Sequence, residues 1–180
     1  MSRIGRLPIS IPQGVTVTVD NNVVTVKGAL GTLTKTFDSR IGIEVKDGHV
    51  HVTRPNDEKA VKALHGLTRV LINNMVIGVT KGFQKELVVN GVSYKVVQNG
   101  PDGVTLSVGY SNDKVFKAPQ GVTIQVTSPT EMTVKGIDKE LVGQAAADIK
   151  AIRVPDPYHL YGIRYKDEVL VKKEGKTAGK

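Results

Sequence analysis

PQGVTVTV at residues 12–19 and PQGVTIQV at residues 119–126 are one eight-residue phrase written twice, 107 positions apart, with two substitutions between the copies. A second match follows each: VTVKG at 24–28 and MTVKG at 132–136. Two matched blocks at nearly the same separation point to an internal duplication. In each copy apolar and polar residues alternate with the period of a strand, and turn-forming residues separate the blocks: Asp20, Asn21 and Asn22 in the first, Ser128, Pro129 and Thr130 in the second. The module is a β-hairpin, and the chain reads as two related domains.

The surrounding sequence fits that plan. GTLTKTF at 31–37 alternates as a strand, and IEVKDGHVHV at 43–52 reads as a hairpin turning on Asp47 and Gly48. The segment 56–78 predicts a helix capped by Asn56, with Val61, Leu64, Leu67, Leu71 and Met75 on its apolar face and Gly78 as its stop. In the second half, 83–98 and 103–111 are extended on either side of the turn-rich NGPDG. Residues 138–152 predict a helix whose apolar face is Leu141, Ala145, Ile149 and Ile152, ended by Pro155 and Pro157. The expected fold class is therefore α+β: two duplicated small domains, 1–82 and 83–152, each an antiparallel sheet covered by one helix, followed by a basic tail, 153–180.

Composition narrows the function. The 180 residues include three Phe, no Trp and no Cys, so the core is built from Val, Ile, Leu and Ala, and thiol chemistry and disulfides are excluded. No apolar run approaches a membrane span, and the start, MSRIGRLPIS, lacks the apolar centre of a signal peptide, which predicts a cytoplasmic protein without a membrane partner. The net charge of +8 is uneven: residues 1–82 carry 11 basic against 6 acidic side chains, residues 83–152 carry 7 against 7, and residues 153–180 carry 7 against 4. Basic excess at both ends favours a polyanionic partner.

Catalytic patterns are missing. There is no G-x-S-x-G elbow, no H-E-x-x-H pair and no Walker loop. His49 and His51 share one strand face, but no third metal ligand is committed to the same place, and a half-exposed strand accounts for the pair equally well. Gly28-Ala29-Leu30-Gly31 has the outline of a nucleic-acid-clamping G-x-x-G loop, yet strands flank it, so it reads as a β-turn; a free RNA-binding regulator using this loop is the competing functional class. His65 and Arg69 lie on one helical face, either to meet an anion or as the solvated side of the helix.

The segment RVPDPYHLYGIRY at 153–165 fits neither period and interleaves cations with three tyrosines. Arginine holds phosphate bidentately and tyrosine stacks on bases, a combination suited to RNA. At this point a resemblance is evident. SRIG, LHGLTRVLINNM followed by GVTKGF, GIDKELVGQAAADIK, PDPY, GIRYKDE and KEGKTAGK occur in the order of the bacterial-type family of large-subunit ribosomal protein six, over essentially the whole chain. The resemblance implies two duplicated sheet-plus-helix domains and binding to large-subunit (23S-type) rRNA, chiefly through the second domain and tail, near the stalk base and the factor-binding region. It implies neighbouring ribosomal proteins as partners, translation factors nearby, a single copy rather than a homo-oligomer, no cofactor, no metal and no catalytic activity. Arg153, Tyr158, Arg164, Tyr165 and Lys166 match the family pattern as RNA contacts; Lys172, Lys173 and Lys176 add charge in the tail, and Arg3 and Arg6 a lesser contact. Three departures stand out: His159, Leu160 and Tyr161 replace the usual Lys-Gly-Lys, Ser93 replaces a usual glycine, and SVGYSND lacks the customary His-Pro. Leu160 and Tyr161 are expected to exchange ion contacts for packing or stacking. The prolines are expected to launch an extended tail that can be removed without harm to either domain.

Overall fold

A computed structural model describes residues 4–176, which divide into two compact units. The first runs to Gly82 and the second starts at Phe83, with Ile137–Lys139 grouped with the first. The α+β class and the duplication are as expected. Each unit divides its strands between two antiparallel sheets rather than using one.

In the first unit, β2 (Thr16–Asp20), β3 (Val23–Gly28) and β4 (Gly31–Thr36) form one sheet; β1 (Ile9–Ser10), β6 (His49–Thr53) and β5 (Gly42–Lys46) form the other in that order. Helix α1 (Lys59–Lys81) lies against β3, β4 and β6. Asn21 and Asn22 turn the β2–β3 hairpin with φ of 44° and 62°, and Asp47 and Gly48 turn β5–β6 with 49° and 72°. These are the left-handed conformations that Asn, Asp and Gly adopt at least cost.

In the second unit, β11 (Val122–Ser128), β12 (Glu131–Gly136), β7 (Phe83–Asn90) and β13 (Gly162–Tyr165) make a four-stranded sheet in that order. Strands β8 (Lys95–Gln98), β9 (Gly103–Ser107) and β10 (Lys114–Lys117) form a meander. Helix α2 (Lys139–Ile152) closes the core with Val142, Ala145, Ala146 and Ile149.

The duplication extends to backbone geometry. Gly14 and Gly121 both have φ of 84°, and in each copy the valine that follows donates its N–H to the proline carbonyl, Val15 to Pro12 and Val122 to Pro119, both at 3.2 Å. At the other end of each hairpin a glycine lets the strand pass under a helix. A Cβ on Gly28 would sit 2.7 Å from a Val79 methyl, and one on Gly136 would sit 2.8 Å from a Val142 methyl. The 28–31 loop is the tight β3–β4 turn and its Leu30 N–H is bonded to the Val79 carbonyl at 3.1 Å, so it is a packed connection rather than an open clamp.

The helices depart from expectation in their details. α1 begins at Lys59, not at Asn56, whose side chain instead accepts the Glu58 N–H at 3.3 Å. It continues through a buried Gly78 and stops at Gly82. Its buried face is Val61, His65, Thr68, Ile72, Met75, Val76 and Val79, whereas Leu67 is 53% exposed. In α2, Val142 rather than Leu141 joins Ala145, Ala146 and Ile149 on the buried face, with Leu141 on the outer side.

Candidate nucleic-acid interface

The end of α2 leads into a closed loop, not an extended tail. The Asp156 carboxylate accepts the backbone N–H groups of His159 (2.8 Å), Tyr158 (2.9 Å) and Tyr161 (3.0 Å), and these bonds, that of His159 foremost, hold its pKa below the usual carboxylate range. The loop is closed by Ile163 N–H donating to the Arg153 carbonyl at 2.7 Å and by Asn90 donating its side-chain amide to the Leu160 carbonyl at 3.2 Å. Leu160 turns the chain with φ of 62°. Residues 162–165 then pair with the outer edge of β7 in the register Gly162–Asn90 to Tyr165–Leu87, burying Ile163 completely. Removing 153–180 would therefore take a strand and a core side chain from the second unit, contrary to the separable tail read from the sequence.

The candidate RNA contacts fall into two groups. In the first, cations and rings are already engaged within the protein. One Arg164 nitrogen donates to the carbonyls of Lys166 (3.2 Å), Tyr165 (3.3 Å) and Glu168 (3.3 Å). Lys166 pairs with Glu86 at 2.7 Å, which raises its pKa. The Tyr165 ring lies near the ammonium groups of Lys150 (4.9 Å) and Lys85 (5.5 Å) and packs on the core. Lys150 in turn pairs with Glu168 at 2.6 Å, and this bond is the main reason that the Glu168 pKa lies below its ordinary value. Arg153 lies 5.2 Å from the Tyr110 ring, and the phenol oxygen of Tyr110, with that of Tyr94, holds its pKa above the ordinary value.

In the second group the side chains face solvent. Tyr158 is 49% exposed, and Lys172, Lys173 and Lys176 are exposed on a stretch that folds back on the loop through Lys173 N–H to the Pro157 carbonyl at 2.8 Å. The segment thus presents its lysines from a fixed base.

In the first unit, Arg6 is exposed and lines a depression with Arg54, Asp57 and His65; Arg3 and Lys180 lie outside the described residues. His65 is 3% exposed and accounts for neither reading of its face: one ring nitrogen meets the Val52 carbonyl at 2.9 Å and the other meets Arg54 at 3.1 Å. Arg69 donates to the Leu7 carbonyl at 3.3 Å. The rings of His49 and His51 are 6.4 Å apart and His49 bonds the Asp47 carbonyl, while among the described residues no group of three or more His, Cys, Asp or Glu is placed to hold a metal. Among the described residues no helix is long and apolar enough to cross a membrane.

Residues that sequence reasoning missed are Tyr94, Tyr110 and Lys114. Tyr110 is 43% exposed, donates its hydroxyl to the Ile152 carbonyl at 2.8 Å, and lies 5.3 Å from the Lys114 ammonium. The loop SVGYSND carried an aromatic beside a basic strand, but nothing in the order of residues brings it to the end of α2. Tyr161 packs on Tyr94 with ring centroids 6.3 Å apart, and His159 lies 5.5 Å from Tyr161, so the rings of the altered triplet are engaged within the protein.

Comparison with known proteins bears on the whole chain. The family model described as ribosomal protein L6 matches residues 11–82 and 90–166. A protein of Lachnoclostridium phytofermentans is 54% identical over 181 residues, covering 100% of both chains, and one of Trichlorobacter lovleyi is 50% identical over 180 residues with the same coverage. A third, from Clostridium novyi, is 53% identical over 178 residues, 98% of this chain and 99% of its own. All three are named large ribosomal subunit protein uL6. The match in both units, at about half identity from end to end, means that the chain belongs to the ribosomal protein L6 family, whose members are structural proteins and not enzymes.

Proposed function

We propose that the protein is a structural component of the cytoplasmic large ribosomal subunit and binds 23S-type rRNA near the stalk base and factor-binding region. In this reading the domains are 1–82 and 83–152, the second completed by β13, and the rest of 153–180 forms the RNA-facing segment. Tyr158, Lys172, Lys173 and Lys176 make first contact, and Arg153, Arg164, Tyr165 and Lys166 supply charge and rings behind them. Arg3 and Arg6 add a lesser contact from the first domain. Neighbouring ribosomal proteins complete its surroundings.

One observation carries the reading: the exposed lysines at 172, 173 and 176 stand on a segment tied to a folded sheet by β13, so their charge is held near one surface. Each phosphate neutralised adds roughly 0.7–0.9 to the salt slope of log affinity. The test replaces Lys172, Lys173 and Lys176 with Ala in the full chain and follows large-subunit sedimentation through a salt series. The wild type is expected to stay with the subunit at moderate salt, and the variant to leave at lower salt. Equal retention of both proteins would remove the tail from the interface, and a wild type that sediments free would overturn the ribosomal reading itself.

A further inference from the structure

Four separate stretches of the second unit bring cations and rings into one row. Lys114 lies 5.3 Å from the Tyr110 ring, Arg153 lies 5.2 Å from the same ring, the Tyr94 hydroxyl lies against Gly109 beside Tyr110, and Tyr161 links Tyr94 to His159 at centroid distances of 6.3 and 5.5 Å. The acids nearest to the row are occupied. Asp113 accepts the Ser107 hydroxyl at 2.7 Å, and Asp156 accepts the backbone of its own loop. Both carboxylates keep their charge and offset those of Lys114 and Arg153, but they are turned to the protein's own donors while the two cations are turned to the Tyr110 ring, so the character of the row is aromatic with cations at its rings.

A site for phosphate alone has no use for an exposed ring. Tyr110 is 43% exposed and is held at its far end by the hydroxyl bond to Ile152, so its ring loses little freedom when something stacks on it. Arginine and tyrosine planes side by side suit unpaired bases, which offer a π-face and an adjoining phosphate; a paired helix buries its base faces. On this basis, and resting on the RNA-binding reading above, we infer that the row is a platform for an unpaired nucleobase of single-stranded RNA. The base stacks on Tyr110 beside the Arg153 guanidinium. The Lys114 ammonium, on an exposed side chain, moves from the ring to the neighbouring phosphate. Tyr94 and Tyr161 are positioning residues that back the guanidinium.

The experiment uses the full chain with two probes: a single-stranded RNA octamer containing one 2-aminopurine, and a fully paired 12-base-pair RNA duplex. Binding is read by anisotropy, and stacking by 2-aminopurine quenching. The wild type is expected to quench the single strand. Tyr110→Ala is expected to weaken single-strand binding about tenfold, within the range for loss of one base–aromatic stack, and to leave duplex affinity within about twofold. Tyr110→Phe keeps the ring and is expected to retain most of the single-strand affinity. A melting profile checks that each variant is folded; if Tyr110→Ala is not, Arg153→Gln decides by the same readout. Single-strand affinity and quenching unchanged in these variants would overturn the platform while leaving the RNA reading intact, since duplex binding reports that reading separately. Absence of binding to both probes would overturn both.

Discussion

At the scale of single residues, two of the departures from the family pattern fall on strained backbone. Ser93 and Leu160 both have φ of 62°, at positions where the resemblance implies glycine. A side chain in this region costs about 1 kcal/mol or more relative to glycine, partly offset by the greater freedom of glycine in the unfolded chain. Ser93 is exposed and has little packing to lose, so Ser93→Gly is expected to stabilise the second unit by about 0.5 kcal/mol, read as a rise in melting temperature. Leu160 is half-buried, so Leu160→Gly trades strain relief against lost packing and is expected to be close to neutral. Leu160→Val, with a β-branched side chain in the same conformation, is expected to be destabilising. Charge gives a second residue-scale prediction. The Glu168 carboxyl is held below its ordinary pKa chiefly by Lys150, so its contribution is present above the usual carboxylate range and disappears as pH falls through the folded value. Glu168→Gln is therefore expected to lower the melting temperature at pH 7, and variant and wild type are expected to converge in acid.

At the scale of elements, the hairpin glycines decide how closely strand and helix approach. Gly28→Ala and Gly136→Ala place a methyl against Val79 and Val142 respectively, and overpacking of this kind costs about 1–3 kcal/mol. Denaturant unfolding of each variant checks it, with the expectation that each lowers the midpoint. Ile163→Ala, in an edge strand with no exposed surface, is expected to cost about 2–5 kcal/mol by the same measurement. These elements also mark the boundary of what was legible from sequence. The hairpins were readable because alternation and turn chemistry are local properties. The faces of the helices were not, for a physical reason. His65 and Thr68 occupy buried positions of α1 because His65 satisfies both ring nitrogens inside, on Val52 and Arg54, so the true stripe is broken by polar letters. The leucines that make a more regular stripe lie at its margins and outside. The loop after α2 was unreadable because its order comes from one carboxylate gathering three backbone N–H groups, a pattern with no period.

At the scale of the whole molecule, each unit has its own core, and among the described residues the candidate interface belongs mainly to the second. The platform was invisible in the sequence because it joins residues 94, 110, 114, 153, 159 and 161, which meet only once the sheets and α2 have formed. The twinned hairpins, alike to the φ of Gly14 and Gly121, have a consequence for how the chain must be made. Two near-copies can compete for each other's sheets if both are unfolded together. During synthesis the first copy has a head start: 107 residues separate them, and at roughly 5–20 residues per second it is translated about 5–20 s before the second. Dilution from denaturant removes that head start. Refolding yield of the full chain is therefore expected to fall with rising chain concentration more steeply than that of residues 1–82 expressed alone, a comparison readable by light scattering, and equal yields would show that the copies do not compete. The ribosome that this protein joins would then also be the timer that keeps its two halves apart.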